Sequence, residues 1–114
     1  MKVYRVADLP ASDRSHIFGG VVPGEFIHEG GMVFEGPGNL AHADEERHTH
    51  PDGEVFLILQ GDAVVHLDDG DQALSAGDVA VIEPDENHHL ESDERNPCVV
   101  IWLHCGPERH PRQR

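Results

Sequence analysis

Residues 47–54 read Arg-His-Thr-His-Pro-Asp-Gly-Glu, and this stretch decides which fold and chemistry to expect. Residues two apart on a strand point to the same face, so His48 and His50 would present two imidazoles side by side. The Pro-Asp-Gly segment predicts a three-residue hairpin loop, closed by Gly53 in the left-handed conformation, that makes His50 and Glu54 cross-strand neighbours. We therefore expect a nitrogen and oxygen donor set suited to one divalent transition metal: Fe, Mn, Ni, Cu or Zn.

Short apolar runs, punctuated by glycine and proline, extend outward from this stretch. An Asp-Gly pair at residues 69–70 is typical of a hairpin turn. The runs are apolar at both parities, so both faces should be covered, one by the interior and one by another sheet, the N-terminal arm or a partner chain. The pattern predicts an all-β sandwich or barrel. The predicted strands are residues 3–6, 26–27, 32–34, 54–59, 63–67, 72–74, 79–82, 88–90 and 98–104.

A second motif occupies residues 77–88, Gly-Asp-Val-Ala-Val-Ile-Glu-Pro-Asp-Glu-Asn-His. Together with the spacing His48-x-His50-x3-Glu54-x6-Gly61, it resembles the two conserved motifs of the cupin superfamily. In that family a Gly-Asp corner opens a strand and a proline-containing turn delivers the last metal ligand, which the register places at His88. The resemblance covers about residues 38–104. It implies a cupin-type β-barrel, or jelly roll, of about eight to ten strands with little or no helix and the metal in its mouth.

Several positions depart from the family pattern. Glu83 and Asp85 stand where proline and glycine are frequent, although aspartate can adopt the left-handed conformation at some energetic cost. His42 occupies the place of a usual glycine, and we interpret it as a solvated loop residue rather than a further ligand. A one-residue slip would exchange His88 with His89, but the register of the motif favours His88.

Two side chains on the last predicted strand are candidates for substrate binding. Trp102 and His104 share one parity, and last-strand side chains often line the pocket beside the metal in cupins. Core packing is the simpler interpretation of Trp102. No motif marks a catalytic residue.

Length and charge restrict the remaining possibilities. The 114 residues suit one domain, which we divide into an N-terminal arm (1–25), a barrel (26–105) and a polar, mobile tail (106–114). A net charge of −14 argues against nucleic acid and anionic membranes as partners. Cys98 and Cys105 are too far apart along one strand to pair. Free thiols and the lack of an apolar leader suggest the cytoplasm.

Two functions from different classes follow from the resemblance. The first is a metal-dependent enzyme that acts on a small polar metabolite as a dioxygenase, isomerase, lyase or decarboxylase. The second is a non-catalytic, metal-stabilised module that binds or senses a ligand. The resemblance also implies a homodimer. Turnover of a substrate would separate the enzyme from the module.

Overall fold

A computed structural model describes residues 1–9, 21 and 26–106. These residues form strands and one short 3-10 turn, Val6–Asp8, and none of their helices is long and apolar enough to cross a membrane. The strands are β1 (Lys2–Arg5), β2 (Phe26–Phe34), β3 (Gly53–Gln60), β4 (Asp62–Leu67), β5 (Gly70–Ser75), β6 (Asp78–Ile82), β7 (His88–Ser92) and β8 (Val99–Gly106).

The strands form two antiparallel sheets that enclose one interior. The larger sheet has the order β1-β6-β3-β8-β2, and the smaller has the order β5-β4-β7. Side chains from both sheets meet in one buried cluster, for example Ile58 and Ile82 from the larger sheet with Val65 and Leu90 from the smaller. This arrangement is the jelly-roll barrel that the strand pattern and the resemblance predicted.

The outer face of the larger sheet explains why its strands are apolar at both parities. Val55, Val79 and Val81 lie outside the barrel interior and form a second buried cluster. Leu9 and Tyr4 from the N-terminal arm belong to or pack against this cluster. The sequence left three possibilities for what covers this face: another sheet, the N-terminal arm or a partner chain. The structure shows that the arm contributes to the cover. The predicted homodimer stays a prediction.

Residues 77–78 form the corner between β5 and β6, as the second motif predicted. Gly77 has φ 90°, a conformation that favours glycine. The Asp78 carboxylate accepts hydrogen bonds from the Ser75 amide at 2.8 Å and from the Arg5 guanidinium at 2.7 Å. One side chain thus holds the turn closed and ties β1 to the same corner.

The hairpin predicted at residues 51–53 is wrong. Gly53 is the first residue of β3 and pairs with Cys105 of β8, and it is not among the glycines with positive φ. β3 lies between β6 and β8, so both of its edges are already hydrogen-bonded and no edge is free for residues 48–50. That segment pairs instead with the loop before β7.

Two further expectations concern the chain ends and the thiols. The predicted boundary of the tail, 106–114, lies one residue too early, because Gly106 still belongs to β8 as its last residue. Residues 107–114, like residues 10–20 and 22–25 of the arm, lie outside the described part of the chain. Cys98 and Cys105 are buried free thiols, and burial raises the pKa of Cys105 to about 11.

Candidate metal centre

Four side chains from three separate segments converge at one end of the barrel. His48 and His50 precede β3, Glu54 is the second residue of β3, and His88 is the first residue of β7. One donor atom from each side chain lies within 4.8 Å of all the others. The structure therefore brings together the four residues that the motifs selected.

Backbone hydrogen bonds hold the segment that carries His48 and His50. The His88 amide donates to the His48 carbonyl oxygen at 3.1 Å, and the Asp85 amide donates to the His50 carbonyl oxygen at 2.8 Å. The His48 amide donates to the Asn87 side-chain oxygen at 2.8 Å. The two sequence motifs therefore support each other directly through these hydrogen bonds, which take the place of the hairpin expected from the sequence.

The Glu54 carboxylate occupies the middle of the group. Its Oε1 lies 2.9 Å from Nε2 of His88 and 3.0 Å from Nε2 of His50. Glu54 and His88 are 5% and 2% exposed, so solvent barely reaches this contact. The ring centroids of His48 and His50 lie 4.8 Å and 5.0 Å from that of His88. Such a set of one carboxylate and three imidazoles matches the preferences of divalent transition metals.

Hydrogen bonds at the far side of two imidazoles determine which nitrogen faces the centre. Nδ1 of His50 donates to the carbonyl oxygen of Asp52 at 2.8 Å, and Nδ1 of His88 donates to that of Glu86 at 2.7 Å. A carbonyl oxygen only accepts, so each Nδ1 carries a hydrogen. A neutral ring with its hydrogen on Nδ1 would direct the Nε2 lone pair at the centre, where a metal could replace the hydrogen bond to Glu54. Metal-binding histidines are usually oriented in this way.

Electrostatics also favours a cation at the centre. Burial, the largest single influence, raises the pKa of Glu54, but hydrogen bonds with His104, His50 and His88 together hold this pKa far below its usual range. The carboxyl is therefore ionised. The Glu54 carboxylate raises the pKa of His50, whereas burial lowers the pKa of His48.

His48 has its own support on the solvent side. Its Nδ1 lies 2.8 Å from Oε2 of Glu45, and the ring of His42 stacks on it with centroids 3.7 Å apart. His42, Glu45 and His48 also form a second group whose donor atoms lie within 4.8 Å of one another. His42 is exposed, as expected of a loop residue, but its contact with His48 was not predicted.

The alternation of β7 separates His88 from His89. His88, Leu90 and Ser92 point inward and are buried, whereas His89 points to the other face. Nε2 of His89 lies 2.8 Å from the carbonyl oxygen of Glu45. The structure therefore places His88, and not its neighbour, at the centre.

His104 of β8 lies directly opposite Glu54 of β3. Its Nε2 is 3.4 Å from Oε2 of Glu54, the oxygen turned away from the other imidazoles, and its ring stacks on His50 with centroids 4.2 Å apart. Trp102 lies two residues away on the same face, 5.3 Å from the His104 ring. Both residues line the cavity beside the centre, and Trp102 also packs against the buried core, as its simpler interpretation expected. Their role in substrate binding stays a prediction.

The centre opens into a cavity of about 370 Å³, a size suited to a small molecule. Its lining includes two carboxylates that the sequence reasoning missed, Glu29 and Glu35. Alternate residues of one strand from 26 to 34 would have indicated an inward Glu29, but the sequence predicted two short strands there. The lining residues are Glu29, Val33, Glu35, Ala41, His42, His48, Glu54, Phe56, His88, Leu90, Val100, Trp102 and His104.

Comparison with known proteins agrees with this architecture. The profile of the Cupin domain family matches residues 39–104. A search of curated proteins finds no significant match. Among solved structures, a cupin-like protein of Thermotoga maritima is 23% identical with a TM-score of 0.58, over 66% of this chain and 54% of that one.

Two other similar structures have names that state an activity. A cupin-superfamily sugar phosphate isomerase of Silicibacter pomeroyi is 21% identical with a TM-score of 0.59, over 72% of this chain and 50% of that one. An oxalate decarboxylase of Lactobacillus farciminis is 24% identical with a TM-score of 0.56, over 70% of this chain and 24% of that one. This chain thus spans half or less of both, and the likeness concerns the fold. The match to the family profile, which covers more than half of the sequence, shows that this chain belongs to the cupin superfamily.

Proposed function

We propose that this cupin binds one divalent transition metal through His48, His50, Glu54 and His88 and acts on a small polar metabolite in the adjoining cavity. The orientation of the imidazoles carries the proposal. Nδ1 of His50 and of His88 is held by a backbone carbonyl, which leaves Nε2 directed at a buried, ionised carboxylate. A cation compensates that buried charge, and the open end of the cavity leaves room for a substrate beside it.

A bound metal would supply Lewis-acid chemistry at a substrate oxygen or, for a redox-active ion, activation of dioxygen. The residues around it determine where a proton can move. Oε2 of Glu54 faces Nε2 of His104 at 3.4 Å, and His104 lines the cavity. His104 can pass a proton to or from a bound substrate, and the Glu54 carboxylate orients its ring. The apolar walls, Phe56, Leu90 and Val100, exclude water from the same space.

Metal content tests the centre directly. Elemental analysis of the purified protein should find about one transition metal ion per chain, and His48→Ala and His50→Ala should lose it. His66→Ala is the matched control, because His66 lies on the smaller sheet, where it bonds Asp71 and Glu91. Absence of metal from the wild type, even after reconstitution, would contradict the proposal.

Turnover decides whether the centre is catalytic. The protein, stripped of metal and reloaded with Fe, Mn, Ni, Cu or Zn in turn, should convert a member of a panel of small polar metabolites. We expect His48→Ala to abolish that conversion and His66→Ala to retain it. Ligand binding without turnover for every metal would instead identify a non-catalytic binding or sensing module.

A further inference from the structure

We propose that the cavity beside the metal centre takes a small organic cation, a metabolite with an ammonium group, and rejects dicarboxylates and phosphate esters. The inference rests on the proposed function, because it names the substrate class of the same site. Three observations support it: the charge of the cavity wall, the position of the indole of Trp102, and the place of Glu29 beside it.

The cavity wall is acidic even when a metal is counted. Among the described residues that line it, Glu29, Glu35 and Glu54 are carboxylates and none is lysine or arginine. A divalent ion adds two positive charges and the three carboxylates contribute three negative ones, so a wall with neutral imidazoles keeps a net charge of −1. An anionic substrate would therefore enter against repulsion, with no guanidinium or ammonium group to receive it.

None of the three described arginines, Arg5, Arg47 and Arg95, lines the cavity, and two of them bond carboxylates elsewhere. Arg47, next to His48, bonds the Asp68 carboxylate at 3.0 Å and 3.1 Å in an exposed pair. Arg5 bonds Asp78 at the corner between β5 and β6. Neither lines the cavity. The described structure thus lacks the fork of donors that usually recognises a phosphate or a carboxylate.

Trp102 supplies an aromatic surface for a cation. Its indole lies over Gly31 of β2, where a Cβ would come 2.9 Å from Nε1 and 3.2 Å from Cε2 and Cζ2. The strand therefore lies against the indole, and Trp102 also lines the cavity. Tryptophan is the best aromatic partner for an ammonium group, and the attraction grows when water is excluded.

Glu29 completes the pattern beside the indole. In the register of β2 and β8, Glu29 pairs with His104 and Gly31 pairs with Trp102. Glu29 and Trp102 are therefore diagonal neighbours on the inner face, about 7–8 Å apart. The Glu29 carboxylate also lies 3.7 Å from Nδ1 of His104. One small ammonium group can contact both the carboxylate and the ring.

The test uses the metal-loaded protein and the fluorescence of Trp102, which is the only tryptophan of the chain. Choline is the cationic probe, 3,3-dimethylbutan-1-ol is its uncharged isostere, and oxalate and glucose 6-phosphate are the anions. We expect choline to change the fluorescence saturably, the isostere to bind about tenfold more weakly, and the anions not to bind. Equal affinity for choline and its isostere, or tighter binding of an anion, overturns the inference.

Charge and ring are then removed one at a time. Glu29→Gln should weaken choline binding about threefold to fivefold, since it removes one partly exposed ion pair. Trp102→Leu, followed by calorimetry, should weaken it by a similar factor or more. Asp69→Asn is the control, because it removes the same charge from an exposed turn between β4 and β5. If Asp69→Asn weakened choline binding as much as Glu29→Gln, the net negative charge of the protein would explain the binding. That result would refute a specific cation site at Glu29.

Metal content measured on the same preparations separates this inference from the proposed function. One metal ion per chain together with oxalate binding would overturn the organic-cation site and leave the metal centre standing. Choline binding to a protein that never takes up metal would support the cation site and contradict the proposed function.

Discussion

Among the residues that the structure describes, two other than glycine adopt the left-handed backbone conformation, and both adjoin the candidate metal centre. His42 has φ 57° and Asp85 has φ 64°. The family resemblance had placed a glycine at each position, and the expectation that Asp85 would tolerate the turn is consistent with its φ. The Asp85 amide supports His50, and the His42 ring stacks on His48. A residue other than glycine in this conformation raises the energy of the folded state, and such strained residues often lie at functional sites.

Residue 42 provides a test of that conformation. Both His42→Gly and His42→Ala remove the imidazole, but only alanine keeps a Cβ that clashes at positive φ. We expect His42→Gly to exceed His42→Ala in free energy of unfolding by about 0.5–1 kcal/mol, because strain outweighs the larger entropy of glycine in the unfolded chain. Urea denaturation measures the difference. Equal stability of the two variants would mean that residue 42 is not held at positive φ.

At the scale of elements, the position of β3 in the sheet explains the burial of Glu54. β6 and β8 flank β3, so Glu54 has Ile82 on one side and His104 on the other. A carboxylate in a central strand cannot turn to solvent and must find its partners inside. Here the partners are imidazoles from three separate segments.

β2 contributes to the site through Gly31, whose lack of a side chain leaves room for the indole of Trp102. The sequence predicted two short strands at 26–27 and 32–34, separated by glycines, but one strand runs from Phe26 to Phe34. Leu103 and Trp102 occupy the space that a Cβ atom at Gly30 or Gly31 would need, so this strand requires glycine at both positions. The strand thus allows the indole to lie across it.

Gly31→Ala should displace the indole of Trp102. A Cβ at 2.9 Å from Nε1 requires the ring to move, and overpacking of this kind costs about 1–3 kcal/mol of folding stability. We expect a shifted tryptophan emission maximum and a lower urea midpoint. Gly36→Ala is the matched control, because a Cβ there meets nothing within 4 Å. An unchanged emission spectrum in Gly31→Ala would show that the ring does not lie over this glycine.

At the scale of the whole molecule, a metal would join segments that the chain brings together only by folding. His48, Glu54 and His88 lie before β3, on β3 and on β7, and thus span both sheets. A ligand that binds only the folded state stabilises it in proportion to the logarithm of its concentration. Metal binding at this centre should therefore stabilise the folded barrel, in addition to any chemistry that the metal supports.

This coupling has a defined dependence on pH. Metal at about one hundred times its dissociation constant should add about 2.7 kcal/mol to the free energy of unfolding. The Glu54 carboxylate raises the pKa of His50, so protonated His50 stabilises the metal-free fold below about pH 6.5, and this contribution is lost as the pH rises through the raised value. Metal binding must displace that proton, so its affinity rises over the same range.

We therefore expect a chelator to lower the melting temperature more at pH 8 than at pH 6, as measured by scanning calorimetry at fixed metal concentration. His50→Ala, which lacks a ligand, should melt at the same temperature with and without chelator. A drop of equal size at both pH values in the wild type would argue that histidines are not the ligands.

The strands could mostly be predicted from the sequence because alternation is local, and the convergence of the four candidate ligands could be predicted because the register of the cupin motif selects His88. That these residues bind a metal stays a prediction. Alternation within a strand places His88 inward and His89 outward, and the spacing of His48, His50 and Glu54 keeps them within a few residues of one another. The corner at residues 77–78 likewise depends on neighbours in the chain, such as the Ser75 amide that bonds Asp78.

Tertiary structure alone decided how these residues are held and what surrounds them. Residues 48–50 lie beside the loop before β7, rather than in a hairpin, because β6 and β8 already occupy both edges of β3. Glu29 reaches the cavity because β2 pairs with β8, some seventy residues later in the chain. Each strand can pair along only two edges, so which distant strands pair is decided when the whole barrel closes. No local pattern of residues determines that choice.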